Sequence, residues 1–411
     1  MTTDSRCRFC HSILRETFAD LGMSPLANSY IPLDRTREME AFYPLHAFVC
    51  SECRLVQLEE FATPDSIFSD YLYFSSFSDA WLKHAEAYVG AVTERFGLNQ
   101  SSRVVEIASN DGYLLQYFQK RGVPVLGIEP AQNIAEVAVK KGIPTEVAFF
   151  GKQTATRLRD SGITADQMVA NNVLAHVPDI NDFVSGFAVL LKPDGVVTFE
   201  FPHLLRLIEH NEFDTIYHEH FSYLSLHVVQ RVLKKHGLRV FDVDEVPTHG
   251  GSLRVFGCRG ESKAHTEQPA VSRVLADEVK AGLEGMDVYR DFARAVIDVK
   301  CQVLDFLIEA RRAGKRVAAY GAPAKGNTLL NFCGVRTDLI EFTVDRSPHK
   351  QGMLLPGSRL PIKAPADLIK ARPDYVLILA WNWAEEIVEQ MAEVRTWGGQ
   401  FAVPIPKIKL I

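Results

Sequence analysis

Four cysteines in two closely spaced pairs are the first residues of this sequence that could do chemistry. Cys7 and Cys10 form one Cys-x-x-Cys pair, and Cys50 and Cys53 form a second. Each pair places two thiolates on one tight turn, and two such pairs make a tetrahedral Cys₄ zinc site. Because the protein fills all four positions, we expect a structural zinc that lies remote from any reaction. A redox-active pair and chance pairing of buried thiols are the alternatives.

The segment VVEIASNDGYLL, residues 104–115, predicts a strand, a turn of small residues and the start of a helix. Such a turn lets a ligand approach the backbone and presents amide groups at the helix N-terminus. The turn lacks the G-x-G-x-x-G fingerprint of diphosphate binding, which favours S-adenosylmethionine. Glu129 ends the next strand, where a carboxylate can accept from ribose hydroxyls. A generic turn with a chance acidic residue is the alternative.

The residues expected to line this cofactor site are Glu106, Ala108, Asn110, Asp111, Gly112, Tyr113, Glu129, Pro130, Asn171 and Asn172.

The densest group of polar and aromatic side chains is residues 214–223, DTIYHEHFSY. In an extended backbone, Tyr217 and Glu219 share one face while His218 and His220 share the other. Histidine and glutamate are the usual proton carriers near neutral pH, so we expect acid–base chemistry. A metal site and a solvated loop are the alternatives.

His176 lies in NNVLAHVPD, where the fourth strand of the predicted sheet gives way to a loop. Ligands of open α/β sheets bind at the carboxyl ends of the strands, so this histidine is on the ligand-binding edge. A buried capping histidine is the alternative.

A second strand–loop–helix pattern, KRVAAYGAPAKGNTLLNF, spans residues 315–332. The order Lys325-Gly326-Asn327 excludes a Walker motif, but the loop offers a lysine and helix amides to an anion. Asn382 follows a later strand on the same predicted edge. A domain that folds without binding a ligand is the alternative.

Hydrophobic periodicity predicts an α/β protein with three parts. Residues 1–70 form the Cys₄ zinc module, and residues 71–265 alternate strands and helices as in a doubly wound sheet. Residues 266–411 comprise a helical linker and a second Rossmann-like sheet. In the linker, apolar residues at Phe292, Val296, Val299, Val303 and Phe306 predict one buried helix face. KPDG, residues 192–195, predicts a turn before a strand.

Composition excludes several classes of function. The formal charge is −6, with 45 basic and 51 acidic residues, so no basic field points to nucleic acid. No apolar run approaches the roughly 18 residues of a membrane span, and the first residues do not resemble a signal peptide. We therefore expect a cytoplasmic protein without a membrane or nucleic-acid partner, and a monomer.

Taken together, the two cysteine pairs, VEIASNDGYLL, NNVLAHVPD, IYHEHFSYLS, THGGSLR and YGAPAKGNTLLNFCG resemble the sugar C-methyltransferases. The resemblance runs over nearly the whole chain. It implies a zinc-binding N-terminal domain, a class I methyltransferase domain that binds S-adenosylmethionine, and a C-terminal Rossmann-like domain. It also implies methylation of C-3′ of a dTDP-linked 4-keto-deoxysugar. Ala108 departs from the glycine of many relatives.

The resemblance further implies an active site built from Tyr217, Glu219, His220 and His176, with either Tyr71 or Tyr73. His220 would be the general base, with Glu219 holding its tautomer or serving as an alternative base. Tyr217 or His176 would donate to the enolate oxygen. Lys325, Asn327 and Asn382 would contact the nucleotide-sugar. The rival functions are an O-methyltransferase and a zinc-containing nucleic-acid-binding module.

Overall fold

The computed structural model describes residues 5–61, 75–77 and 79–411. Over these residues the chain forms an N-terminal antiparallel module, a central doubly wound sheet and a C-terminal, mostly parallel sheet. The three-part α/β architecture expected from the sequence is confirmed. Among the described helices, none is both long and apolar enough to cross a membrane.

The N-terminal module holds the cysteine pairs. Its strands are β1 (Glu16–Ser24), β2 (Ile31–Pro32), β3 (Tyr43–Val49) and β4 (Val56–Leu58). Strand β3 pairs antiparallel with both β1 and β4. Alternate residues of β3 are buried, as a strand with one solvent-facing side requires.

The central domain is a seven-stranded sheet with a hydrophobic core on each face. The strands of this domain are β5 (Val104–Ile107), β6 (Val125–Ile128), β7 (Thr145–Glu146), β8 (Ala165–Asn171), β9 (Leu191–Pro202), β10 (Ser222–Tyr223), β11 (Leu238–Val246) and β12 (Ser252–Arg259). The short strand β10 is not part of the seven-stranded sheet. The sheet order is β11-β12-β9-β8-β5-β6-β7, and β5 to β9 run parallel. The carboxyl ends of β5, β6, β8 and β9 therefore meet at one edge.

The helices of this domain are α1 (Asp79–Phe96), α2 (Leu115–Lys120), α3 (Gln132–Lys140), α4 (Lys152–Asp160), α5 (Ile180–Leu190), α6 (Leu204–Glu209) and α7 (Leu226–Lys235). Side chains at their N-caps fix the start of two of them. The Asp179 carboxylate accepts from the Asp182 amide, and the Ser225 hydroxyl accepts from the Val228 amide.

The expected KPDG turn is a bulge within β9, which begins at Leu191. Leu191 pairs with Ala165 and Val196 pairs with Gln167, so the register shifts across residues 192–195 before regular pairing resumes. The Arg259 guanidinium also binds the Leu191 carbonyl, with Nη2 at 2.6 Å, and so holds the strand against its neighbour.

The C-terminal part begins with two helices, α8 (Pro269–Lys280) and α9 (Asp287–Arg312). In α9 the predicted apolar face is confirmed except that Leu307, rather than Phe306, is fully buried at its end. The face packs against the N-terminal module, where the Phe292 ring stacks on Phe18 with centroids 4.4 Å apart. The helical linker is therefore part of the core that joins both ends of the chain.

The remaining elements are the strands of the second sheet, its helices, and the short strand β15, which lies outside that sheet. They are β13 (Val317–Tyr320), α10 (Ala324–Cys333), β14 (Thr343–Val344), β15 (Met353–Leu354), β16 (Ile362–Lys363), α11 (Pro365–Ala371), β17 (Tyr375–Ile378), α12 (Ala384–Gln390), β18 (Gln400–Val403) and β19 (Lys409–Leu410). The sheet order is β16-β14-β13-β17-β18-β19, with all but the last strand parallel.

Strand pairing across the domain boundaries brings the three parts together. Strand β10, from the central domain, pairs with β4 and completes the sheet of the N-terminal module. Strand β15, from the C-terminal domain, pairs with β2. Residues 214–223 consequently lie where the three domains meet.

Candidate active site

The loop after β5 turns sharply because three of its residues adopt left-handed backbone angles. The φ values are +54° at Ala108, +49° at Asn110 and +77° at Gly112. Asparagine and glycine tolerate this region best, whereas alanine does so at some cost. The loop thus bends its backbone across the carboxyl edge of the sheet, as a ligand-binding turn requires.

The Glu129 carboxylate ties this loop to the next one. Its Oε2 accepts from the Asn110 amide and its Oε1 from the Ala131 amide, both at 2.9 Å. Burial raises the pKa of Glu129, and the two amide hydrogen bonds oppose that rise. Each carboxylate oxygen retains a second lone pair, so the expected contact with ribose hydroxyls stays a prediction.

Several buried side-chain acceptors along this edge have no hydrogen-bond partner among the described residues. Glu106 Oε2, Asn171 Oδ1 and Asn172 Oδ1 are among them. Burial also raises the pKa of Glu106 well above its usual range, although a hydrogen bond from Tyr113 lowers it. Buried acceptors of this kind need donors. The ammonium, ribose hydroxyl and adenine amino groups of S-adenosylmethionine are such donors, so the edge fits this cofactor.

The chain entering α1 is attached to the same loop. The Ser75 amide donates to Asn110 Oδ1 at 2.9 Å. The Asp111 carboxylate accepts from Ser76 and from Lys141 Nζ, the latter at 2.8 Å. Tyr71 and Tyr73, the two candidate tyrosines, lie outside the described residues.

Gly112 provides a test of this loop. A Cβ there would lie 2.8 Å from Ile143 Cγ1, whereas a Cβ at Gly122, with nearly the same φ, would meet nothing within 4 Å. We expect Gly112→Ala to weaken binding of S-adenosylhomocysteine by about tenfold or more, because overpacking of about 1–3 kcal/mol displaces the loop. Gly122→Ala introduces the same backbone strain without the steric clash, and it should bind S-adenosylhomocysteine with wild-type affinity. Isothermal titration calorimetry distinguishes the two, and equal affinities would contradict the assignment.

The candidate catalytic side chains form one aromatic cluster. The His176 and His220 rings lie 4.7 Å apart, and the Tyr217 ring lies 4.0 Å from His220 between centroids. His176 Nδ1 donates to the Glu219 carbonyl at 2.8 Å, and His220 Nδ1 donates to the Thr215 carbonyl at 2.9 Å. The Glu219 carboxylate accepts from Asn28 Nδ2 at 2.6 Å.

These hydrogen bonds fix the tautomers of the two histidines. A carbonyl oxygen can only accept, so Nδ1 carries the proton in both rings. The basic nitrogen of each neutral ring is then Nε2. A main-chain carbonyl therefore sets the tautomer of His220, and the Glu219 carboxylate instead binds the N-terminal module. Burial raises the pKa of that carboxyl group, with the Asn28 bond opposing it.

The prediction that Tyr217 and Glu219 share one face of an extended strand, with His218 and His220 on the other, is wrong. The backbone is not extended here: a 3₁₀ turn spans Phe213–Thr215, and the His220 amide donates to the Tyr217 carbonyl at 2.9 Å. The resulting turn brings Tyr217 and His220 together. His218 points away and donates from Nε2 to the Pro44 carbonyl at 3.1 Å, and burial lowers its pKa.

Lys325 lies at the boundary between the central and C-terminal domains. Its Nζ is 2.5 Å from Asn382 Oδ1 and 3.9 Å from the centroid of the Trp381 ring. The indole of Trp381 donates to Asp214 Oδ2 at 2.7 Å. Burial lowers the pKa of Lys325, whereas the nearby Asp214 and Glu212 carboxyl groups raise it. Its expected contact with a phosphate stays a prediction.

Asn327 and its neighbour attach helix α10 to the other two domains. Asn327 Nδ2 donates to the Ala27 carbonyl at 2.7 Å, and Thr328 Oγ1 donates to the Ile216 carbonyl at 3.0 Å. Asn327 Oδ1 is buried without a hydrogen-bond partner among the described residues. It is therefore an acceptor that a substrate hydroxyl or amide could use.

The Glu212 carboxyl group should make stability depend on pH. Burial, and then the Asp214 charge, raises its pKa from 4.5 to about 8. The folded protein holds a proton that the unfolded chain releases, so stability falls as pH rises from about 4.5 to about 8. Glu212→Gln removes this titration, and its stability relative to wild type should rise by roughly 2–4 kcal/mol across that window.

Thermal unfolding of wild type and Glu212→Gln at pH 5 and pH 8 measures this difference. The exposed neighbour Glu209 provides the control substitution Glu209→Gln. A difference between Glu212→Gln and wild type that is the same at both pH values would contradict the prediction.

The four cysteines converge as the sequence predicts. Their sulfur atoms all lie within 4.8 Å of one another. His11 and Arg54, which follow the second cysteine of each pair, share left-handed φ values of +65° and +67°. Gln57 Nε2 also donates to Cys7 Sγ at 3.2 Å. Four converging thiol groups, three of them buried and that of Cys10 half-buried, with matching turns fit Zn²⁺.

Several residues at the site were not expected from the sequence. Asn28 binds Glu219, and Glu212 lies with Asp214 near Lys325. Nothing in the spacing of Asn28 or Glu212 marks them, whereas Asp214 begins the segment that the sequence singled out. A further group lies near the carboxyl end of β9, where Arg254 Nη2 and His84 Nε2 bind the buried Glu200 carboxylate at 2.6 and 2.9 Å. The bonds from His84 and Arg254 hold the pKa of Glu200 below its usual value although burial raises it.

Three family models match the chain in the order of its domains. A zinc binding domain matches residues 7–68, a methyltransferase domain matches residues 81–243, and a C-methyltransferase C-terminal domain matches residues 247–406.

One curated relative matches almost the entire chain. C-methyltransferase NovU from Streptomyces niveus is 38% identical over 405 residues, covering 98% of this chain and 96% of the relative. The ubiquinone biosynthesis O-methyltransferase of Bartonella bacilliformis is 29% identical over 96 residues, covering 23% of this chain and 39% of that protein. A solved S-adenosylmethionine-dependent methyltransferase from Clostridium acetobutylicum covers 44% of this chain and 92% of its own, with 12% identity and a TM-score of 0.36.

Proposed function

This chain belongs to the family of S-adenosylmethionine-dependent C-methyltransferases, and from that premise we propose that it methylates C-3′ of a dTDP-linked 4-keto-deoxysugar. The observation that carries the proposal is the cluster of Tyr217, His176 and His220. It lies where the cofactor edge, the N-terminal module and the C-terminal domain meet.

Methylation of carbon needs a carbanion equivalent, which a ketone provides by enolisation of the neighbouring C–H bond. His220 Nε2 removes that proton, because the Thr215 carbonyl holds the ring with Nδ1 protonated. The electron pair of the C–H bond moves into the enolate, and its negative charge develops on the ketone oxygen. A hydrogen-bond donor at that oxygen stabilises the transition state.

Tyr217 is the better of the two candidate donors. His176 Nδ1 already donates to the Glu219 carbonyl, so the neutral ring offers only an acceptor at Nε2. The phenol of Tyr217 can donate without prior protonation. Glu219 remains an alternative base, since burial raises the pKa of its carboxyl group and so makes the carboxylate more basic.

Bound S-adenosylmethionine would supply an electrophilic methyl group to the enolate carbon, with S-adenosylhomocysteine as the leaving group. Glu106, Asn171 and Asn172 offer the buried acceptors that would hold its donors. The protein's main contribution is to position the two substrates in line. Zinc, held by four cysteines, would keep no open coordination position, so its role would be structural.

The C-terminal domain is proposed to bind the nucleotide-sugar. Asn327 contributes an acceptor at the boundary with the N-terminal module. Lys325 and Asn382 contribute a cation and an amide at the boundary with the central domain. A diphosphate placed here would direct the sugar toward residues 217–220.

The test is transfer of a ¹³C-labelled methyl group from S-adenosylmethionine to a dTDP-4-keto-2,6-dideoxysugar, followed by NMR of the product. We expect the labelled methyl carbon to be bonded directly to C-3′ of the product. A label on oxygen would establish the O-methyltransferase alternative. If the methyl group is transferred to a GDP-linked ketosugar and not to the dTDP-sugar, then the proposed nucleotide of the substrate is wrong.

A further inference from the structure

We propose that Arg8 is a positioning residue that holds the segments carrying His176 and His220 in their mutual arrangement. The inference rests on the proposed function, since that function gives the two histidines their roles. It also changes the expected role of the zinc module, because Arg8 lies between Cys7 and Cys10. The module is not remote from the candidate active site.

The Arg8 side chain contacts three different parts of the chain. Its Nη1 donates to the Pro178 carbonyl at 2.7 Å, and its Nη2 donates to the Leu58 carbonyl. The guanidinium carbon lies 5.3 Å from the centroid of the Phe221 ring, within the range of a cation–π contact. The guanidinium thus bridges β4 of the module and two segments of the central domain.

Both central-domain segments carry a candidate catalytic histidine. Pro178 is two residues after His176, and Phe221 directly follows His220. The Leu58 amide donates to the Phe221 carbonyl at 3.1 Å, so the Arg8 contact with Leu58 also braces that segment. The two histidine rings are 4.7 Å apart, and a small displacement of either segment changes their separation.

The backbone of Arg8 is held in place by hydrogen bonds next to the first cysteine pair. The Arg8 amide donates to Gln57 Oε1 at 2.9 Å, and Gln57 Nε2 donates to Cys7 Sγ at 3.2 Å. The Arg8 carbonyl accepts from Asn181 Nδ2 at 2.9 Å. Because both its amide and its carbonyl group are hydrogen-bonded, the Arg8 backbone is fixed, and this restricts the position of the guanidinium.

Only arginine satisfies these contacts at once. Its planar guanidinium sends separate N–H groups to two carbonyls and presents a flat face to Phe221. A lysine ammonium at this position reaches one carbonyl and loses the planar geometry. Arg8→Lys therefore keeps the charge and removes the bridge.

Lys235 provides a matched control on the other side of the same cysteine pair. Its Nζ donates to the Phe9 carbonyl at 3.0 Å and lies 5.0 Å from the Phe9 ring. Both its hydrogen bond and its cation–π contact are with Phe9, not with the segments of His176 or His220. Lys235→Met loosens the docking of the pair and leaves the proposed bridge in place.

The experiment compares the zinc-loaded full-length protein with Arg8→Lys, Arg8→Gln and Lys235→Met. For both Arg8 variants we expect kcat to fall about 10- to 100-fold, with KM for both substrates within about twofold, because misplaced reacting groups lower the rate of the chemical step. Lys235→Met should keep the wild-type kcat. Bound zinc should stay at one per chain in all four proteins.

A second readout does not depend on turnover. The imidazole NMR signals of His176 and His220, assigned with single histidine variants, should shift in the Arg8 variants and not in Lys235→Met. Unchanged signals and kcat in Arg8→Lys would overturn the inference, as would a rate loss explained by lost zinc. A wild-type protein without methyl transfer would refute the proposed function, while the NMR comparison would still test Arg8.

Discussion

Replacing His220 by asparagine is expected to lower the rate of methyl transfer by about 10²- to 10⁴-fold, the usual contribution of a general base. The asparagine amide can still donate to the Thr215 carbonyl, so the local turn is preserved while the basic nitrogen is lost. Binding of S-adenosylhomocysteine should stay unchanged, because the cofactor edge is formed by other residues.

His218 supplies the matched control for this substitution. It is also a buried histidine, two residues away, but it donates to the Pro44 carbonyl and faces the N-terminal module. His218→Gln retains a donor and should keep the wild-type kcat. The assignment of the base would be contradicted by a His220→Asn variant with wild-type kcat, or by equal losses in both variants. Steady-state kinetics with labelled S-adenosylmethionine measures both.

The second large effect concerns the cysteine cluster. Replacing Cys7 by serine should abolish binding of zinc and lower the stability of the whole chain. In small zinc peptides the metal supplies about 10–16 kcal/mol of folding free energy, and part of that should be lost here. The module's sheet includes β10, which directly follows residues 217–221, so activity should fall as well.

Elemental analysis for zinc and thermal unfolding test this expectation. Cys301, an exposed cysteine on α9, provides the control substitution Cys301→Ser. That variant should retain one zinc per chain and the wild-type unfolding midpoint. A Cys7→Ser protein with full zinc content, or one that unfolds at the same temperature as Cys301→Ser, would contradict a structural Cys₄ site.

The features that were predictable from the sequence are those with local causes. Hydrophobic periodicity gave the alternating strands and helices, including α10 at Ala324–Cys333. The cysteine spacing gave the thiol cluster, and the small-residue turn gave the left-handed loop at Gly112. Each Cys-x-x-Cys pair and each turn is a local signal, although the two cysteine pairs meet across 40 positions of sequence.

The missed features depend on tertiary contacts. Asn28 reaches Glu219 across 191 positions, and no periodicity in either segment signals that contact. The arrangement of Tyr217 and His220 depends on a turn that follows Phe213–Thr215, and the alternation rule assumes an extended backbone. The contact between the zinc module and the segment after His220 arises where β4 pairs with β10, and these two strands lie far apart in the sequence.

The most direct test of the account is proton exchange at C-3′ before any methyl transfer. A dTDP-4-keto-2,6-dideoxysugar is incubated with the protein and S-adenosylhomocysteine in D₂O, and the H-3′ signal is followed by NMR. The account predicts loss of that signal with the wild-type protein and its retention with His220→Asn. A wild-type protein that methylates the sugar yet leaves H-3′ in place would contradict enolisation as the route to the new carbon–carbon bond.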